Sequence, residues 1–191
     1  MFAPLDLIHM KKHQIRVQLS ICVVSGLLGY EELFDYFKRA RWRLIEALER
    51  LPGEQFTRSR GLSFESIKDI LVHTVMNEDT WLHYRLPGLG NSTPRRFEEF
   101  RNLEDIKKYI TEVDGKTNRL FAEITEDDLR KPVKRLARDG SEETFELGQV
   151  LYQLPIETIY HFGEIFAEFW KMNLEAPYYS YLAYSKENRK H

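Results

Sequence analysis

Hydrophobic positions recur with the period of an α-helix in four stretches of the chain. Leu33, Phe34, Phe37, Ala40, Leu44, Ile45, Leu48 and Leu51 form one stripe, with Arg41 among them. They predict a first helix over about 30–51, stopped by Pro52-Gly53. Trp42 lies off the stripe, placed to meet a second element or a partner. Glu54 to Gly61 reads as a polar loop. Ser63, or alternatively Ser66, then opens a second helix striped by Ile67, Ile70, Leu71, Thr74, Val75, Glu78, Trp81 and Leu82. Pro87, Gly88, Gly90, Asn91 and Pro94 make a loop. Leu103, Ile106, Ile110, Val113, Thr117, Leu120 and Phe121 mark a third helix, from about 97 or 102 to 124. From 131 to 147 the pattern changes to alternation, with Asp139-Gly140 as a turn signal. That stretch reads as a small hairpin or extended excursion.

A fourth helix, opening at Gly148 or Gln149 and running to Trp170, has two faces. Ile156, Ile159, Phe162, Ile165, Phe166 and Phe169 supply the apolar one. Gln153, Glu157, His161, Glu164 and Glu168 stack as a polar stripe. Pro155 is expected to kink this helix or to move its effective start. The tyrosines at 178, 179, 181 and 184 are expected to pack across the bundle, with the last charged residues fraying. The pattern as a whole predicts an all-α four-helix bundle with a hairpin before its last helix, one domain over 30–185.

The polar stripe can be a water-exposed face or a metal site facing inward. Glu157 and His161, at i and i+4, can both reach one ion. A third ligand must come from another helix, and His73 is the best placed. His83, ten residues on, lies about 80° away around the helix and does not join it. Two neutral imidazoles and a carboxylate hold a divalent ion with positions left open, zinc being the first choice, with nickel, iron or manganese as alternatives. A di-iron carboxylate site would need Glu-x-x-His pairs, and the helices carry none.

Composition narrows the partners. The chain has 191 residues, 42% hydrophobic and 30% charged, with a net charge of -2 and no Lys/Arg block. This is a soluble globular composition and argues against a nucleic-acid or membrane partner. The single cysteine, Cys22, allows neither an intrachain disulfide nor a Cys-cluster zinc site, and cytoplasm is the default location. Residues 1–29 read as an extension, better explained as a docking arm than as a cleaved signal. His9 and His13 within it form an H-x-x-x-H with no third ligand nearby.

Three stretches resemble the DinB/YfiT-like metal-dependent proteins, which share a four-helix bundle. Tyr36-Phe37 through Leu51-Pro52-Gly53-Glu54 is similar to the family's first helix and its L-P-x-E ending. Ser66 to His73, then Glu78 and Trp81, is similar to its S-x-x-D/E-x-L-x-H…E-x-x-W helix. Leu151 to Ile165 is similar to its last helix, L-x-H-x-x-x-H-x-x-x-H-R-G-Q-I. The resemblance implies a metal held by His73, His161 and the residue at 157, where Glu157 replaces the first His of the pair. Phe162 and Glu164 replace the Arg and Gln, Gly163 is kept, and Gln153 replaces an upstream His. It places Gln153, Glu78 and Trp81 behind or beside the ligands, and Glu164 where it can orient His161 or accept a proton. It implies a thiol S-transferase or hydrolase acting on a small molecule, with a low-molecular-weight thiol as co-substrate, and a homodimer. The alternative is a non-catalytic bundle that has lost its metal and binds a small ligand or a protein.

Overall fold

A computed structural model of the chain describes residues 26–86 and 95–188. His9, His13, Cys22, the Pro87–Pro94 loop and most of the N-terminal extension lie outside the described residues. The helices are α1 (Leu27–Leu48), a short α2 (Gly53–Thr57), α3 (Ile67–Asp79), α4 (Leu103–Glu123), α5 (Leu147–Lys171) and α6 (Tyr181–Asn188). Strands β1 (Pro132–Leu136) and β2 (Glu142–Glu146) form an antiparallel hairpin between α4 and α5. Among the described residues no helix is long and apolar enough to cross a membrane.

The long helices α1, α3, α4 and α5 make the bundle, and side-chain pairs give their directions. Phe34 meets Phe121, Arg41 meets Asp114 and Glu49 meets Lys107, so α1 and α4 are antiparallel. Asp79 meets Tyr109 and His83 meets Thr117, so α3 runs parallel to α4. Ser63 meets Glu164, His73 meets Glu157 and Trp81 meets Phe145, so α3 and α5 are antiparallel. The result is an up-down-down-up bundle. Leu44, Ile45, Ile70, Leu71, Ile106, Ile110 and Ile165 are almost wholly buried at its centre.

Several boundaries differ from the sequence reading. Helix α1 begins at Leu27 rather than at about 30, because Glu126 accepts a hydrogen bond from the Leu27 N–H at 2.9 Å. A Cβ at Gly26 would lie 2.0 Å from that carboxylate, so glycine lets Glu126 in. The cap comes from 99 residues away and has no local signature. The expected polar loop at 54–61 begins instead with α2, which carries Phe56 into the core. Pro155 does not move the start of α5, which opens at Leu147 and continues as one helix through the proline. The tyrosine-rich stretch runs into α6: Tyr184 is buried, and the Tyr36 hydroxyl donates to the Tyr179 carbonyl at 2.7 Å, while residues 189–191 lie outside the described residues. The apolar face of α5 is only partly covered, for Ile156 and Ile159 are about half exposed.

Ser66, not Ser63, caps α3. Its Oγ accepts from the Asp69 N–H at 3.2 Å and donates to the Asp69 carboxylate at 2.7 Å. Asp69 thus holds the capping hydroxyl in place, without the backbone bond of a full capping box. Ser66→Ala is expected to lower stability by about 1 kcal/mol, read as a shift in the urea midpoint at unchanged slope.

Candidate metal centre

Ligand-type atoms of His73, Glu157 and His161 all lie within 4.8 Å of one another. Helix α3 supplies His73, and α5 supplies the other two one turn apart. His73 Nε2 is 3.2 Å from Glu157 Oε1, and His161 Nε2 is 3.9 Å from the same oxygen. Atoms bound at about 2.0–2.1 Å to one tetrahedral ion stand about 3.3 Å apart, so small rotamer shifts bring this set onto an ion. The three side chains are partly exposed, with solvent access through a cleft.

Supporting residues fix both imidazoles. Phe64 stacks on His73 at 4.2 Å between ring centres and meets His161 edge-on at 5.7 Å. Glu164 Oε1 lies 3.1 Å from His161 Nδ1. Glu164 is itself held by the Ser63 hydroxyl at 2.8 Å and the Ser63 N–H at 3.1 Å. A proton on His161 Nδ1, shared with Glu164, leaves the Nε2 lone pair directed to the centre. Burial raises the Glu164 pKa, but the Ser63 bonds and His161 outweigh it and hold the carboxyl below its usual range. The hydrogen bond from His73 holds Glu157 at about 2, against desolvation and with help from Gln153 and Asn77. The donor set therefore fits a divalent cation: an ionised carboxylate, and two imidazoles with nitrogens turned to it.

A cleft of about 620 Å³ opens from His73 and Glu157 along the seam of α3 and α5. Trp81 and Gln153 both line it, Gln153 close to Glu157 and Trp81 farther from the ligands. Gln153 Nε2 donates to Glu157 Oε2 at 3.3 Å. Glu78 does not join them. It is buried on the opposite side of α3, where it takes hydrogen bonds from Arg41 at 2.9 Å and Thr117 at 2.6 Å. His73 and Glu78 are five residues apart, about 140° around the helix, which points them to different neighbours. The polar stripe of α5 also divides. Glu168, on the same face as Glu157, is buried against Arg60 at 3.0 Å, past the start of α3. Ser63, Phe64 and Asn77 belong to the site and carried no signal that marked them in advance.

Among curated proteins nothing matches the chain. The DinB family model matches residues 23–188, which include every helix that builds the site. On that match the chain belongs to the DinB family.

Proposed function

We propose that the chain is a metal-dependent enzyme in which His73, Glu157 and His161 hold one divalent ion, zinc or nickel, beside a small-molecule cleft. The observation that carries this reading is the convergence of two imidazole Nε2 atoms on one carboxylate oxygen. The hydrogen bond between His73 and Glu157 marks where a cation replaces a proton, so loading releases protons. A bound ion would supply Lewis acidity, favouring the thiolate of a coordinated thiol or the hydroxide of a coordinated water. The protein's own residues do the rest. Glu164 orients His161 and fixes its tautomer; Phe64 holds the plane of His73; the cleft admits the second reactant. Transfer of a low-molecular-weight thiol to a small electrophile is the reaction we assign, on the family resemblance together with this open site.

Elemental analysis of protein purified without a His tag tests the reading. About one divalent ion per chain is expected, or one after incubation with zinc or nickel. A wild-type protein that takes up neither would overturn it and leave a non-catalytic ligand-binding bundle. Glu164→Gln keeps shape but removes the charge that favours the His161 tautomer. It is expected to weaken metal affinity about 10–100-fold, measured by competition with a chelator.

A further inference from the structure

The cleft has a second end. It follows α3 from His73 and the π-helical turn Thr80–Tyr84 that continues it, and closes against the hairpin, where Arg85, Arg135 and Phe145 line it. The guanidinium carbon of Arg85 stands 4.5 Å from the Trp81 ring centre. That of Arg135 stands 5.5 Å from the same ring and 5.4 Å from Phe145. Two cations thus share one largely buried indole. Cation–π attraction holds each in place, but it does not neutralise either.

Their charges are unequally compensated. Arg135 pairs with Glu143 across the hairpin. Arg85 has neither an ion pair nor a hydrogen bond with any described side chain. Burial, and then the charge of Arg135, push the Arg85 pKa down from its usual value, the mark of a cation short of an anion. Of the neutral amides that line the cleft, Gln153 and Asn77 are bonded to Glu157, which leaves Gln149 free of that carboxylate. The one carboxylate lining the cleft, Glu157, is at the opposite end.

We propose that Arg85 and Arg135, held over Trp81, form an anion subsite for a carboxylate or phosphate group of a substrate whose other end reaches His73, Glu157 and His161. Planar guanidinium forks suit both oxyanions. The span sets the size of the molecule. His73 and Trp81 are eight residues apart, about 12 Å of helix rise. The reacting atom and the anionic group of the substrate are therefore separated by about 10 Å. The hairpin gains a purpose from this: Val133 and Arg135 share a strand face, so burying Val133 aims Arg135 at Trp81. The reacting end rests on the metal reading above; the anion subsite does not.

Calorimetry with three probes of matched length tests the proposal on metal-loaded protein: 8-mercaptooctanoate, 8-mercaptooctyl phosphate and neutral 8-mercaptooctanol. The acids are expected to bind at least about tenfold more tightly than the alcohol, as a hydrogen-bonded charge warrants. The tighter of the two acids identifies the natural group. In Arg85→Gln the preference is expected to fall to about twofold or less, with metal content and the far-UV spectrum unchanged. Arg85→Lys should restore part of it. Octanoate, octyl phosphate and octanol on metal-free protein separate the two readings. If the metal assignment fails, the charge preference persists there. If the subsite fails, thiols still bind the loaded protein without regard to charge. Equal binding of acids and alcohol by the wild type overturns the proposal, as does a preference that survives in both Arg85→Gln and Arg135→Gln.

Discussion

His161→Ala is expected to lower zinc affinity by more than 100-fold, and His73→Ala to do the same. Each removes one of three protein ligands, a larger change than the roughly 10–100-fold that follows loss of a supporting hydrogen bond. The effect is read most directly through stability. A ligand that binds only the folded chain adds about 2.7 kcal/mol when present at 100 times its dissociation constant. Wild-type protein should gain about this much in urea unfolding on addition of zinc, and either alanine variant should gain less than about 0.4 kcal/mol at the same concentration. Metal-free wild type and metal-free variants should unfold within about 1–2 kcal/mol of one another, because His161 and His73 are only partly buried. Glu157→His is the informative control. It offers a third imidazole from the same turn and should keep stoichiometric metal. It also leaves more net charge on the ion, which Glu157 partly neutralises. A zinc-dependent gain that persists in His161→Ala would remove His161 from the centre.

The convergence of these three residues was legible because it depends on helical periodicity. Glu157 and His161 are one turn apart, and His73 is a mid-helix histidine on another helix of the bundle. What periodicity cannot supply is position along the helix axis. Glu168 shares the face of Glu157, yet the segment before α3 covers it, and Arg60 takes its charge. The same segment brings Ser63 onto Glu164, so the carboxylate is held between Ser63 and His161. Arg85 and Arg135 lie 50 positions apart on a helix end and a strand, and only the packing of the hairpin joins them. The start of α1 was misplaced for a related reason, since its cap is Glu126. Local pattern gave the elements and their faces; the loops decided which polar groups on those faces meet.

Arg41→Ala is expected to destabilise the bundle by about 3–5 kcal/mol, the range for removing one partner of a buried ion pair. Arg41 sits in the apolar stripe of α1 and is 4% exposed. It donates to Glu78 on α3 and to Asp114 on α4, which also accepts from Trp42 Nε1 at 3.2 Å. Thr117 donates to the second oxygen of Glu78 and faces His83 Nε2 at 3.1 Å. This one cation therefore ties three helices, and its loss strands Glu78 without a counter-charge. The double variant Arg41→Leu/Glu78→Leu should be less destabilised than the two single losses added together, because it removes the stranded charge as well.

Acid provides an independent check on sign. Burial raises the pKa of Glu78, but the charge of Arg41 and the hydrogen bonds of Thr117 and Arg41 more than offset this and hold it below 4.5. Its stabilising contribution is present above 4.5 and is lost as pH falls through the folded value. Desolvation depresses His83 below 6.5, so the unfolded chain takes up that proton first and stability already declines as pH falls below 6.5. Wild-type stability should accordingly fall in two stages on acidification, the first from His83 and the second from Glu78. In Arg41→Ala the cation that holds Glu78 down is gone and burial dominates, so its pKa should rise above 4.5. Protonation then relieves the variant above 4.5, whereas in the wild type it costs stability below 4.5. The stability gap should be widest near neutrality and should narrow toward pH 4. A gap that stays constant on acidification would show that Arg41 acts through packing alone and not through the charge of Glu78.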